Sequence, residues 1–107
     1  MTGRKGLTGQ AVVDAATAVV EAKGVSALTL SEVARVLGIK PPSLYNHVAG
    51  LESLRRDVAL RAVEDLGNRL GTAAMGRSGR TALRAIANEV RAYAATHPGL
   101  YELSAQA

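Results

Sequence analysis

The sequence contains no cysteine, no tryptophan and no phenylalanine, and it has only two histidines. Without cysteine there are neither disulfides nor thiolate metal ligands, and two histidines are too few for a zinc cluster. We therefore expect no metal site and no cofactor.

Long hydrophobic runs are also missing. No stretch approaches the roughly 20 consecutive apolar residues that a membrane-spanning helix needs, so we expect a cytoplasmic protein with no membrane partner. With 107 residues, 48% of them hydrophobic, the chain can bury one modest core.

The arrangement of side chains needed for catalysis is likewise lacking. Glu64 and Asp65 are neighbours in the sequence, and on a helix they would point in different directions. No spacing of a nucleophile and a base recurs along the chain. The sequence therefore predicts no catalytic residues and no enzyme.

Positive charge is in moderate excess, with 13 Lys and Arg against nine Asp and Glu. The net charge of +4 favours polyanionic partners, although it also serves solubility. Residues 1–50 and 51–107 each carry +2, so charge does not locate a binding surface. Three tyrosines are too few to form platforms for stacking single-stranded bases, which favours duplex DNA over single-stranded RNA.

Residues 28–48, LTLSEVARVLGIKPPSLYNHV, have the layout of a helix-turn-helix. An apolar-periodic segment over residues 31–37, capped by Thr29 or Ser31, stops at Gly38, where a left-handed conformation disfavours residues with a Cβ. A shorter helix begins near Pro41 or Pro42 and ends near residue 48. The positions predicted to face the core are Val33, Ala34, Leu37, Ile39, Leu44 and Val48.

Other helices are predicted on both sides of this motif. Residues 1–7 read as a flexible basic arm that contacts DNA or is merely disordered, and Thr8 caps a first helix that ends at Lys23 before Gly24. A long fourth helix covers residues 51–70, with a core face that includes Leu54, Val58, Val63 and Leu66. The sequence thus indicates an all-α fold, in which a three-helix unit over residues 8–50 is joined by the fourth helix to further helices.

The C-terminal part begins with a predicted loop over residues 71–80, which holds three glycines. A fifth helix over residues 81–96 follows, and Pro98 and Gly99 end it. Its predicted inward positions are Leu83, Ile86, Ala87, Val90 and Ala94.

The chain resembles the N-terminal domain of the TetR family of bacterial transcriptional regulators over residues 10–66. The resemblance rests on several segments together: Glu21-Ala22-Lys23-Gly24, Leu28-Thr29-Leu30, Val33-Ala34, Gly38-Ile39 and Pro42-Ser43-Leu44-Tyr45-Asn46-His47-Val48.

That resemblance implies that the second helix of the motif enters the DNA major groove. Ser43 would then bond a base edge or phosphate and Pro42 would contact a thymine methyl, whereas Asn46 would bind adenine or phosphate. Tyr45 either holds a phosphate or packs against the first helix, and His47 either holds a phosphate or supports its own helix. The candidate DNA-binding residues are Lys40, Pro42, Ser43, Tyr45, Asn46 and His47.

Two features depart from the family pattern. Leu51 stands where many members have a lysine that would pair with a phosphate, and either the first N–H groups of the fourth helix or Arg55 and Arg56 could replace it. By resemblance, residues 81–107 begin a domain that binds a small-molecule inducer and forms a homodimer. Because two helices would leave apolar faces uncovered, we expect the chain to be part of a longer one. His97 and Tyr101 there serve either core packing or ligand contact.

The resemblance therefore implies a ligand-responsive repressor that binds a near-palindromic operator in double-stranded DNA. The alternative is a helical protein- or ligand-interaction module that keeps the fold without regulating DNA. A salt titration separates the two, because several phosphate contacts make DNA affinity fall steeply with salt.

Overall fold

The computed structural model describes residues 7–107, and within that range the chain forms helices and no strand. This confirms the all-α prediction. The predicted basic arm falls, apart from Leu7, outside the described residues. The α-helices are α1 (Gly9–Lys23), α2 (Leu30–Leu37), α3 (Leu51–Ala74), α4 (Gly79–Thr96) and α5 (Pro98–Gln106), and the 3₁₀ helices are Val25–Ala27 and Pro41–Asn46. None of the helices over residues 7–107 is long and apolar enough to cross a membrane.

The ends of α1 and α2 follow the predicted capping pattern. The Thr8 hydroxyl accepts the Ala11 N–H at 3.1 Å, and Gly24 stops α1 with φ +94°. Gly38 adopts the left-handed conformation, with φ +73°, and the Ile39 N–H then donates to the Ala34 carbonyl at 3.0 Å. That bond closes the turn of the helix-turn-helix as expected.

The second helix of the motif, hereafter the recognition segment (residues 40–48), differs from the prediction in its geometry. It begins at Pro41 as predicted, but it is a 3₁₀ helix that ends at Asn46. The Ser43 N–H donates to the Lys40 carbonyl at 3.0 Å, three residues back. Two consecutive prolines remove two backbone donors, and so short a segment gains little from the longer-range α pattern.

The predicted loop over residues 71–80 is shorter than expected. Helix α3 continues through Gly71 to Ala74, and α4 already begins at Gly79. Only residues 75–78 connect the two helices, with Gly76 at φ +74° and Gly79 at φ +57°. A glycine within a helix weakens it without ending it, whereas a glycine with positive φ redirects the chain.

One hydrophobic core joins all five α-helices and the recognition segment. Among its largest fully buried members are Val12, Val33, Leu44, Leu54, Val58, Tyr93 and Leu103. Val63 and Leu83, which were predicted to face inward, are 42% and 68% exposed, so these two predictions are wrong. On α3 the buried face runs through Ala62 and Leu66, and Val63 points away from it. The molecule measures 51 × 25 × 21 Å.

Candidate nucleic-acid interface

The recognition segment turns its polar residues outward and its two apolar residues inward. Leu44 is completely buried and Val48 is 8% exposed, which confirms their predicted place in the core. Residues 38–50 contain no acidic side chain, so nothing in this stretch opposes the charge of Lys40. The six candidate DNA-binding residues are all exposed: Lys40, Pro42, Ser43, Tyr45, Asn46 and His47.

The sequence left open whether Tyr45 packs against the first helix and whether His47 supports its own helix. The exposure of each side chain bears on these alternatives. Tyr45 is 60% exposed, so its ring is mostly free of the core. The backbone N–H of His47 donates to the Leu44 carbonyl at 2.8 Å and ends the 3₁₀ helix, while the imidazole is exposed. Both side chains are therefore accessible to a partner, and their contact with phosphate stays a prediction.

The helix before the recognition segment is held in place by a small ionic network. Nζ of Lys23 in α1 lies 2.8 Å from Oε2 of Glu32, and the Arg35 guanidinium binds both oxygens of the same carboxylate. These two cations, Arg35 foremost, lower the pKa of Glu32 to about 2. The network links the end of α1 to α2, and thereby helps to orient the segment that follows.

Sequence reasoning missed this role of Glu32. The Thr29 hydroxyl accepts the Glu32 N–H at 3.0 Å, so Thr29 is the cap of α2. A Thr followed three residues later by a Glu is the spacing of a capping box, and that signal was present in the sequence. The contact with Lys23 was not readable, because it joins two helices across the turn between them.

Leu51 opens α3 and is half-buried against the core. It follows Gly50, which has φ +153° and provides no side-chain cap for the first turn. An apolar side chain packed inward offers nothing to a phosphate, and the absence of a lysine-type contact here stays a prediction. Arg56, one turn along the helix, is exposed.

A cavity of about 350 Å³ lies at the junction of α1, α3, α4 and α5. Buried Val58, Ala62 and Leu100 line it, as do the more polar Thr17 and Asn68. Its volume is within the range of small-molecule sites. The sequence did not reveal it, since its lining residues are spread over four helices.

Tyr93 also lines this cavity and is its most unusual member. The side chain is 1% exposed, and its hydroxyl has no hydrogen-bond partner among the described residues. Burial raises the pKa of Tyr93, and the charge of Asp65 adds to this effect while that of Arg69 opposes it. The Arg69 guanidinium lies 5.2 Å from the ring centroid and is paired with Asp65 at 3.2 Å. A buried hydroxyl without a partner is costly, and a ligand that bonds it would remove that cost.

Comparison with known proteins agrees with this geometry. Residues 12–58 match the model of a family described as bacterial regulatory proteins, tetR family. The chain is 33% identical over 102 residues to YobS of Bacillus subtilis, covering 95% of this chain and 53% of that protein. It is 39% identical over 95 residues to Rv0681 of Mycobacterium tuberculosis, covering 89% of this chain and 44% of that protein.

Both relatives are described as uncharacterized HTH-type transcriptional regulators. The chain spans about half the length of each of them. The matched family segment begins inside α1, includes the whole helix-turn-helix, and ends within α3. It therefore contains all six candidate DNA-binding residues of the recognition segment.

Proposed function

We propose that this chain, whose residues 12–58 match the tetR family of bacterial regulatory proteins, binds operator DNA and regulates transcription. The recognition segment is the part that enters the major groove. The observation that carries this proposal is the exposure of all six candidate DNA-binding side chains on a turn fixed by buried Leu44 and Val48.

Each exposed residue has a chemistry suited to a different part of the duplex. Ser43 bonds a base edge or phosphate, and Pro42 contacts a thymine methyl. Tyr45 and His47 hold backbone phosphates on either side, and Lys40 adds a positive charge. Asn46 binds adenine or a phosphate, and its side-chain amide can serve either.

The start of α3 supplies the remaining backbone contact in this proposal. Leu51 packs inward and cannot bind a phosphate as the lysine of many family members would. In this proposal the first N–H groups of α3, at the positive end of the helix dipole, bind that phosphate instead. Arg56 contributes a charge one turn later.

We further propose that the regulator is a repressor whose ligand occupies the cavity at Tyr93. The cavity joins α1 of the DNA-binding part to α3, α4 and α5, so occupancy would bear on the packing of all four. Its lining combines apolar Val58, Ala62 and Leu100 with charged Arg61, Glu64 and Asp65. Together with the Tyr93 hydroxyl this suits a small molecule that has both an apolar part and hydrogen-bonding groups. A homodimer, formed through the C-terminal region, would place two recognition segments on a near-palindromic operator.

The test is a footprint on the duplex upstream of the coding gene, with an unrelated duplex of equal length as the reference. A Tyr45→Ala, Ser43→Ala double variant should lose protection while keeping the far-UV circular dichroism of the parent. Tight footprinting by this folded double variant would refute the proposal.

A charge-matched pair of variants separates DNA recognition from the alternative of an interaction module. Lys40→Ala and Arg84→Ala each remove one exposed cation, the first from the recognition segment and the second from α4. Only Lys40→Ala should lower the slope of log affinity against log salt, by about one. Equal slopes for both variants, or weak salt dependence in the parent, favour the interaction module.

A further inference from the structure

The corner between α4 and α5 (residues 96–99) sits on the last turn of α1. Nδ1 of His97 at this corner lies 2.5 Å from Oε1 of Glu21 in α1. Both side chains are partly buried, at 23% and 33% exposure. We propose that the Glu21–His97 pair is a protonation-sensitive latch that holds the corner on α1.

Close packing of the backbone at this corner against α1 fixes where His97 lies. A Cβ added at Gly99 would lie 2.7 Å from Cγ1 of Val20 and 3.0 Å from its carbonyl oxygen, so the α5 backbone rests directly on α1. The next residue, Leu100, is buried in the core. This close approach fixes the position from which His97 reaches Glu21.

The imidazole is also positioned from its own side. The His97 N–H donates to the Tyr93 carbonyl at 2.7 Å, and the His97 and Tyr93 rings lie 5.0 Å apart between centroids. Tyr93 in turn lines the cavity, so one side of the latch borders the cavity and the other is α1.

The charges around the pair favour Glu21 as the partner of an imidazolium. On α3, Arg69 is neutralised by Asp65, and on α1, Lys23 is engaged by Glu32. Tyr93 of α4 is a phenol, neutral at ordinary pH. On α5, Glu102 is exposed. The carboxylate in direct contact with the imidazole is therefore that of Glu21.

The pair changes its character with pH. With a neutral imidazole it is a hydrogen bond to a carboxylate, and with a protonated one it becomes an ion pair. Histidine is the side chain that ordinarily changes charge between about pH 5 and pH 8. Protonation of the imidazole therefore tightens the latch, and loss of the proton loosens it.

The latch is connected to the recognition segment through the last turn of α1. Glu21 and Lys23 share the last turn of α1, and Lys23 bonds Glu32 of α2, which leads into the recognition segment. The latch and the α2 network thus both act on the last turn of α1. The proposal itself concerns the latch and does not depend on DNA binding.

Urea unfolding at about pH 5 and about pH 8, the two ends of the ordinary histidine range, tests the latch. The parent is compared with His97→Gln, which keeps a hydrogen-bond donor but cannot titrate, and with Glu21→Gln. On acidification the folding equilibrium constant of the parent should gain about two- to fivefold relative to either variant, the size of a partly exposed pair.

His47→Gln is the control, because it removes the other histidine from an exposed position. It should keep the full gain of the parent. The same pH dependence in the parent and in His97→Gln would overturn the proposal, and so would a full gain in Glu21→Gln.

A second measurement reports on the latch at the site itself. In two-dimensional NMR the amide shifts of residues 21–24 should follow the protonation of His97 in the parent and be flat in His97→Gln over the same pH range. Amide shifts in this turn that titrate identically in both chains would contradict the latch, even if the unfolding data agreed.

Discussion

Glu32 connects two residues from different helices at the base of the recognition segment. Its carboxylate binds Arg35 within α2 and Lys23 at the end of α1, while its backbone N–H is capped by Thr29. A single side chain therefore secures both the start of α2 and its attachment to α1.

This arrangement predicts a pH dependence of stability. Because Arg35 and Lys23 lower the pKa of Glu32 to about 2, from an unperturbed value of 4.5, folding is favoured wherever the carboxylate is ionised in both states. That contribution is present above pH 4.5 and is lost as pH falls toward about 2. We expect Glu32→Gln to be less stable than the parent at neutral pH and to show a flatter decline between these values.

Urea unfolding across the acid range checks this prediction. Glu102→Gln makes the same chemical change at an exposed position on α5 and should follow the parent curve. Parallel curves for the parent and Glu32→Gln would show that the ionic network adds nothing to stability.

Among the elements, α5 is joined to the helix-turn-helix part more closely than its position in the sequence suggests. Its first turn rests on Val20 of α1 through Gly99, and its apolar residues Leu100 and Leu103 are buried in the common core. The absence of a side chain at position 99 allows this contact.

Gly99→Ala should therefore be destabilising although alanine is the better helix former. The added Cβ would meet Val20 at 2.7 Å, within a packed core where overpacking costs roughly 1–3 kcal/mol of unfolding free energy. Gly67→Ala is the matched control, since an added Cβ there has nothing within 4 Å. It should be neutral or stabilising by up to about 1 kcal/mol, and a gain at both positions in denaturant unfolding would contradict the docking of α5 on α1.

At the scale of the whole molecule, a single core connects the helix-turn-helix with the C-terminal helices. Val12 and Val33 from the first part belong to the same buried cluster as Tyr93 and Leu103 from the second. Helix α3 runs between them and packs against α1, α4 and α5. We expect the two parts to unfold together.

Leu103→Ala tests this cooperativity from the end farthest along the chain. Removing this buried side chain should cost about 2–5 kcal/mol and shift the complete unfolding curve. Far-UV circular dichroism and tyrosine fluorescence should give coincident transitions. Leu83→Ala, at a position that is 68% exposed, should change stability by no more than about 0.5 kcal/mol. Two separated transitions in the Leu103 variant would indicate independent parts.

Local patterns were sufficient for much of this architecture. The helix-turn-helix was readable because a cap, a left-handed glycine and an apolar stripe are all set by neighbours within a few residues: Thr29, Gly38, Leu44 and Val48 lie where the sequence placed them. The outward direction of the recognition residues followed from the burial of those two apolar positions. Their roles on DNA stay predictions.

Failures occurred where periodicity had to predict burial without knowing the neighbour. Val63 and Leu83 match an apolar stripe, yet both are exposed. On α3 the stripe was drawn too wide, because Ala62 is buried while the adjacent Val63 faces away from the core. Gly71 looked like the start of a loop, but α3 continues past it because the chain turns at Gly76 instead. Pro41 and Pro42 predicted where the helix starts but not that it is a 3₁₀ helix.

The sequence by itself determined the helical class, the helix-turn-helix and the set of side chains offered outward on the recognition segment, because these depend on short-range backbone and patterning effects. Only the tertiary structure decided the cavity at Tyr93, the contact between Glu21 and His97 and the close packing of Gly99 against Val20. Each of these joins residues far apart in the chain, and their distances depend on how whole helices pack rather than on any local preference.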